Sequence, residues 1–132
     1  MKGYKTNIEQ QTLDNNNFRK VLYTGQNSQL VLMTLKVGEE IGSEVHPDRD
    51  QFFRFEQGVG EVHIDDAIHK VKDGDAVVVP AGSNHNVINT SQTEPLKLYT
   101  IYSPPEHKDG VVRVTKEEAE LNEAHFDGTT SE

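Results

Sequence analysis

Four side chains with oxygen or nitrogen donors stand in two short segments of this chain. Glu44, His46 and Gln51 lie in the first, Gly38 to Gly58, and His85 lies in the second, Gly74 to Asn89. One carboxylate, one amide oxygen and two imidazoles suit a divalent Mn, Fe, Co, Ni or Zn ion. Glu44 and His46 are two residues apart, so on one strand they face the same way. Gln51 opens the next apolar run, after Pro47-Asp-Arg-Asp50. If Gln51 faces inward, Phe53 and Phe55 do too, and Arg54 faces out. His85 follows Pro80-Ala-Gly82-Ser-Asn, a bend that lets a strand re-enter a barrel, and Val87 shares its face.

A single histidine on an apolar strand is more often a satisfied core residue than a ligand. Four polar groups in one small interior are costly to bury separately, and one cation satisfies them together. The expectation is therefore one divalent metal ion held by Glu44, His46, Gln51 and His85. Glu44, if bound through one oxygen, is the candidate catalytic proton acceptor, and no second general base is evident. His63, His69, His107 and His125 have no ligand-like partner at useful spacing. Arg49 and Arg54 are read as solvent-facing, which leaves no basic residue on the lumen.

Positioning such a site requires many short strands. Phe18–Thr24, Leu30–Lys36, Ile41–His46, Gln51–Glu56, Gly60–Ile64, Ala67–Val71, Ala76–Pro80, His85–Asn89 and Leu96–Tyr102 all read as strands. Val31, Met33 and Leu35 are expected to point inward. Turn residues separate these runs, with Asp65-Asp66 spaced as a two-residue hairpin. The pattern is that of an all-β sandwich or barrel. Residues 1–17 read as an N-terminal arm. The sheet is expected to stop at Ser103-Pro104-Pro105. A tail over 106–132 then carries one short surface helix, Lys116 to Ala124, opened by the capping box Thr115-Lys-Glu-Glu118. Asp127 to Glu132 are expected to be disordered.

Composition narrows the function classes. The chain has 132 residues, a formal charge of −9 and no cysteine. Disulfides, thiolate metal sites and a cysteine nucleophile are excluded. No basic run offers a footprint for nucleic acid or an anionic membrane. No apolar run reaches the length of a membrane span, and the N-terminus lacks the apolar core of a signal peptide. The expectation is one cytoplasmic domain.

The two segments resemble the paired motifs of the cupin family. Its second motif, G-x5-P-x-G-x2-H-x3-N, is matched at Gly74, Pro80, Gly82, His85 and Asn89. Its first, G-x5-H-x-H-x3,4-E-x6-G, is matched at Gly38, His46 and Gly58. There Glu44 replaces the first histidine and Gln51 replaces the glutamate, so the single negative charge of the ligand set moves across the ion. With flanking strands the similarity extends over about residues 18–105. The resemblance implies a jelly-roll, or double-stranded β-helix, barrel with a short C-terminal helix. It also implies a homodimer that binds one metal through the motif residues and takes a small-molecule ligand. The chain is most similar to small single-domain bacterial cupins loosely grouped with mannose-6-phosphate isomerases. Three functions follow: a metal-dependent enzyme of dioxygenase, isomerase or lyase type acting on a small polar molecule, a non-catalytic sensor or carrier, and a structural dimer with a vestigial site. The strand at 18–24 has no hairpin mate beside it in the sequence, so it is expected to pair across a dimer interface.

Overall fold

In the computed structural model, which describes residues 1–132, the chain folds as α1 (Ile8–Asp14), β1 (Arg19–Thr24), β2 (Gln29–Leu35), β3 (Glu44–Val45), β4 (Asp50–Gln57), β5 (Val59–Ile64), β6 (Ala67–Lys72), β7 (Ala76–Val79), β8 (Asn84–Asn89), β9 (Leu96–Ser103), β10 (Val112–Arg113) and α2 (Lys116–Leu121). The strands form two antiparallel sheets, β10-β1-β2-β9-β4-β7 and β3-β8-β5-β6. This is the jelly roll that the motif resemblance implies, within the all-β class that the strand pattern indicates.

Alternation along the strands builds the core between the sheets. Val31, Met33 and Leu35 of β2 and Phe53 and Phe55 of β4 are fully buried. They join Val62 and Val87 of the smaller sheet and Leu96 and Leu98 of β9 in one apolar cluster. Each such side chain contributes about 1.5–3 kcal/mol when taken out of water. Two glycines let the layers approach. A Cβ on Gly60 would stand 2.5 Å from the Ile88 carbonyl oxygen, and one on Gly58 (φ +91°) 2.5 Å from that of Pro95. Asn89, the last motif residue, is a clamp. Its Nδ2 donates to the carbonyls of Leu35, Lys36 and Glu94, and its Oδ1 accepts from the Ser91 amide.

Several segments differ from the sequence reading. Residues 1–17 are not simply an arm, since they hold α1. The Asn7 side chain caps it by accepting from the Gln10 amide at 3.0 Å, and Thr12 is buried. Lys97 closes its C-terminal end by donating from Nζ to Leu13 O, Asn15 O and Asn16 Oδ1. A seven-residue polar helix is marginal alone and is held by these tertiary contacts.

β1 is not an unpaired edge. It forms a hairpin with β2 and is covered on its other side by β10, through Arg19↔Arg113 and Lys20↔Val112. The prolines do end β9, but the chain re-enters the sheet at β10. The segment 41–46 pairs as a strand only at Glu44–Val45, with Glu40 bridged to Ile88.

The C-terminal residues are anchored instead of disordered. The Glu132 carboxylate accepts from the Lys2 and Gly3 amides and the Tyr23 hydroxyl, and the Ser131 amide donates to Thr24 O. α2 has the expected cap, Thr115 Oγ1 accepting from the Glu118 amide at 3.1 Å. It ends at Leu121, short of Ala124, with Ala119 buried and Leu121 exposed. No helix is long and apolar enough to cross a membrane.

Candidate metal centre

The register of β3 on β8 sets Glu44 directly opposite His85, so their side chains share a face at short range. His46 lies one residue beyond β3. Its carbonyl accepts from the Gly82 amide at 2.9 Å, which ties it to the turn that leads into β8. Gln51 projects from β4 on the facing sheet and is 2 % exposed. Donor atoms of Glu44, His46 and His85 all lie within 4.8 Å of one another. Gln51 Oε1 is 3.1 Å from His85 Nε2. All four side chains singled out in the sequence therefore meet at one end of the barrel.

The hydrogen bonds around His85 test whether these residues fit a cation. Gln51 Nε2 donates to Thr100 Oγ1 at 3.0 Å, which turns Oε1 toward the imidazole. The other ring nitrogen, Nδ1, faces the Ser83 carbonyl oxygen at 3.3 Å. A neutral imidazole has one N–H, so in either tautomer one ring lone pair confronts an oxygen lone pair. Protonation would relieve this, but burial, reinforced by nearby His46, holds the His85 pKa below its usual value. With Nδ1–H on Ser83 O, the Nε2 lone pair and Gln51 Oε1 share a region that suits a cation. The ligand distances of such ions, about 2.0–2.2 Å, place donors roughly 3–4 Å apart. The donor set and its spacing fit a divalent ion.

His46 Nε2 is 3.1 Å from Glu44 Oε2. The hydrogen bond that His46 donates to Glu44 raises the His46 pKa against the opposing effect of burial, with further support from Glu106. Burial alone would raise Glu44, yet the His46 hydrogen bond, together with the charges of His46, Arg19 and His85, holds its carboxyl below the usual range. Glu106 Oε2 lies 3.7 Å from His46 Nδ1 and is bonded to Arg49 Nη1 at 2.8 Å. Tyr102 stands edge-on to both His46 and His107, with ring centroids 5.9 and 5.1 Å apart. Burial raises its phenol well above the ordinary range. His107 is neutral, driven down to about 2 by burial and then by the charges of Arg19, His46, His125 and Arg113.

Arg49 is consequently not solvent-facing, and Arg54 pairs with Glu56 on the outside of β4. His63 pairs with Glu61 away from the centre. His107 and His125, read as bland tail residues, instead flank it. A cavity of about 110 Å³ lies between the barrel mouth and the tail, lined among others by Arg19, Glu44, Glu106, His107 and His125. A basic residue does line this space, contrary to expectation. Glu106, His107 and His125 lie outside both motifs and return to the site only through the long tail. Arg19 carried one weak signal: it stands two residues before Val21 and so shares its inward face.

The Cupin_2 family model, a cupin domain, matches residues 31–102. The chain is 49% identical over 124 residues to the uncharacterized protein YrkC of Bacillus subtilis, covering 89% of this chain and 66% of that one. It thus spans just under two thirds of that relative's length. It is 43% identical over 116 residues to an uncharacterized protein of Acanthamoeba polyphaga mimivirus, covering 86% and 72% of the two chains. The crystal structure of BH2720 from Bacillus halodurans superposes with a TM-score of 0.88 at 44% identity, over 90% of this chain and 94% of that one.

Proposed function

The chain belongs to the cupin domain family, and on that premise we propose that it is a metal-dependent enzyme acting on a small polar organic molecule. Glu44, His46, Gln51 and His85 are its metal ligands. The observation that carries this reading is that His85 Nε2 and Gln51 Oε1 meet at 3.1 Å beside a carboxylate and a second imidazole, while the one N–H of a neutral His85 cannot serve both Gln51 Oε1 and Ser83 O. A purely structural network would pair a donor with each acceptor.

When bound, a divalent ion supplies Lewis-acid polarisation of a substrate oxygen. The chain's own residues do the remaining work. Glu44 Oε2 is engaged with His46 while Oε1 makes no hydrogen bond, so Oε1 is the atom that receives a substrate proton. Glu106 lies 3.7 Å from His46 Nδ1 and balances charge that accumulates there. Tyr102 keeps its proton and remains a donor at the mouth. α2 and the tail cover the opening and limit water.

Metal analysis of the purified protein beside His46→Ala and His85→Ala tests the ligand set. Equal metal in all three would end this reading. Incubation of a bound small molecule with metal and oxygen then separates enzyme from carrier, since a carrier returns it chemically unchanged.

We also propose a homodimer, supported by exposed Ile68 and Val78 on β6 and β7, the strands that end the two sheets. Light scattering at micromolar concentration that gives a monomer mass would remove it.

A further inference from the structure

The chain has four arginines, at positions 19, 49, 54 and 113. Arg49 binds Asp48 and Glu106, Arg54 binds Glu56, and Arg113 donates to the Asn122 carbonyl. Arg19 differs. No carboxylate lies within 4.0 Å of it and it makes no hydrogen bond, while its Nε is buried like those of Arg49 and Arg54. Yet it points inward. In β1 it shares the face of buried Val21 and stands opposite fully buried Met33 of β2. The guanidinium carbon sits 5.3 Å from the Phe18 ring centroid, and the side chain lines the cavity that Glu44 also lines. Its charge reaches Glu44, Tyr102 and His107.

An inward guanidinium without a counter-ion is a costly arrangement. It persists where something outside the chain completes it. Resting on the metal-centre reading above, we infer that Arg19 is the anchor for the carboxylate of a small organic acid, whose neighbouring oxygen reaches the Glu44–His46–Gln51–His85 centre. The planar fork of arginine matches a carboxylate with two parallel hydrogen bonds. The cavity, about 110 Å³, admits only a compact molecule. Its walls choose carboxylate over phosphate. Glu44, Glu106, Glu120 and Glu123 outnumber Arg19 and Lys116 around this space, so each further negative charge on a ligand adds repulsion, and a singly charged carboxylate is favoured over a phosphate dianion.

The test uses the full chain loaded with Mn(II), and isothermal titration with lactate, pyruvate and glycolate, each beside its amide, and with inorganic phosphate. At least one acid is expected to bind, with its amide at least tenfold weaker and phosphate weaker than the acid. Arg19→Gln is expected to lose that binding at least tenfold while it keeps the wild-type metal content and circular dichroism spectrum. Arg19→Lys, which keeps charge but not the fork, is expected to fall between. Binding of no acid, equal binding of acid and amide, tighter binding of phosphate, or unchanged affinity in both Arg19 variants would each overturn the inference. Metal content measured on the same samples keeps the two readings apart. Acid binding that depends on Arg19 in a protein without bound metal would sink the metal centre and leave the anion anchor standing.

Discussion

The two ends of the barrel treat buried polar groups in opposite ways. β8 begins at the mouth with His85 and finishes at the far end with Asn89; β9 runs the other way, from Lys97 to Tyr102. At the far end the accounts close within the protein. Asn89 is 2 % exposed and uses both donors and its acceptor on backbone groups. Lys97 is 6 % exposed and places its ammonium among three oxygens. At the mouth they do not close. The one N–H of a neutral His85 cannot serve both Gln51 Oε1 and Ser83 O, Glu44 leaves one oxygen unused, and Arg19 has no anion. Burial alone therefore does not mark function in this fold. A buried polar group whose partners are all protein atoms holds the fold together, and one that lacks a partner points to a ligand.

The sharpest way to break this contrast is to exchange the ends. His85→Ala is expected to abolish stoichiometric metal binding, read by elemental analysis, while a cooperative urea transition remains. Asn89→Ala is expected to do the reverse. It strands three carbonyls and the Ser91 amide, so it is expected to cost about 2–4 kcal/mol in urea unfolding, with metal content unchanged in the folded fraction. Metal loss in Asn89→Ala without loss of stability would erase the distinction.

A second measurement reads the mouth by pH. His107 lies against Tyr102, with Nε2 3.3 Å from the phenol oxygen. Its pKa falls from the ordinary 6.5 to about 2, chiefly through burial. A depressed native pKa means that the unfolded chain takes up the proton first. The contribution is therefore complete above about pH 6.5 and is lost progressively as pH falls toward 2. Carboxylates titrate over part of the same range, so the difference from His107→Gln is what counts. The wild type is expected to lose more stability than the variant between pH 6.5 and 4.5, and parallel curves would show that His107 is not held neutral.

What the sequence made legible divides along the same line. Period-two alternation is a local signal, so the inward faces of β2 and β4 were readable from Val31, Met33, Leu35, Gln51, Phe53 and Phe55. The two histidine-bearing segments were readable because strand parity and the Pro80–Gly82 bend aim Glu44, His46 and His85 inward. α1 was not readable, because its stability comes from Lys97, more than eighty positions away, and not from an apolar stripe. The hairpin of β1 with β2 was passed over although Gly25–Ser28 supplies its turn, and β10 has only two residues to announce it. Glu106, His107 and His125 were invisible as site residues for a related reason. A tail that folds back over the barrel has no periodicity to show where it lands.

The finest comparison sets the two inward cations, buried Lys97 and half-buried Arg19, against each other. Lys97→Met removes the donor that closes α1 and leaves the Leu13 and Asn15 carbonyls without it, so a loss of about 1–3 kcal/mol in urea unfolding is expected. Arg19→Met removes a charge that has no counter-ion and puts an apolar chain of similar length beside Met33 and Phe18. Replacing an inward ion that lacks a counter-ion with a packed apolar group is often neutral or stabilising. The metal-loaded, acid-free protein is therefore expected to change by no more than about 1 kcal/mol, and in the stabilising direction. A destabilisation by Arg19→Met as large as that by Lys97→Met would mean that the guanidinium is already satisfied within the fold. The contrast between the two ends would then lose its cationic half.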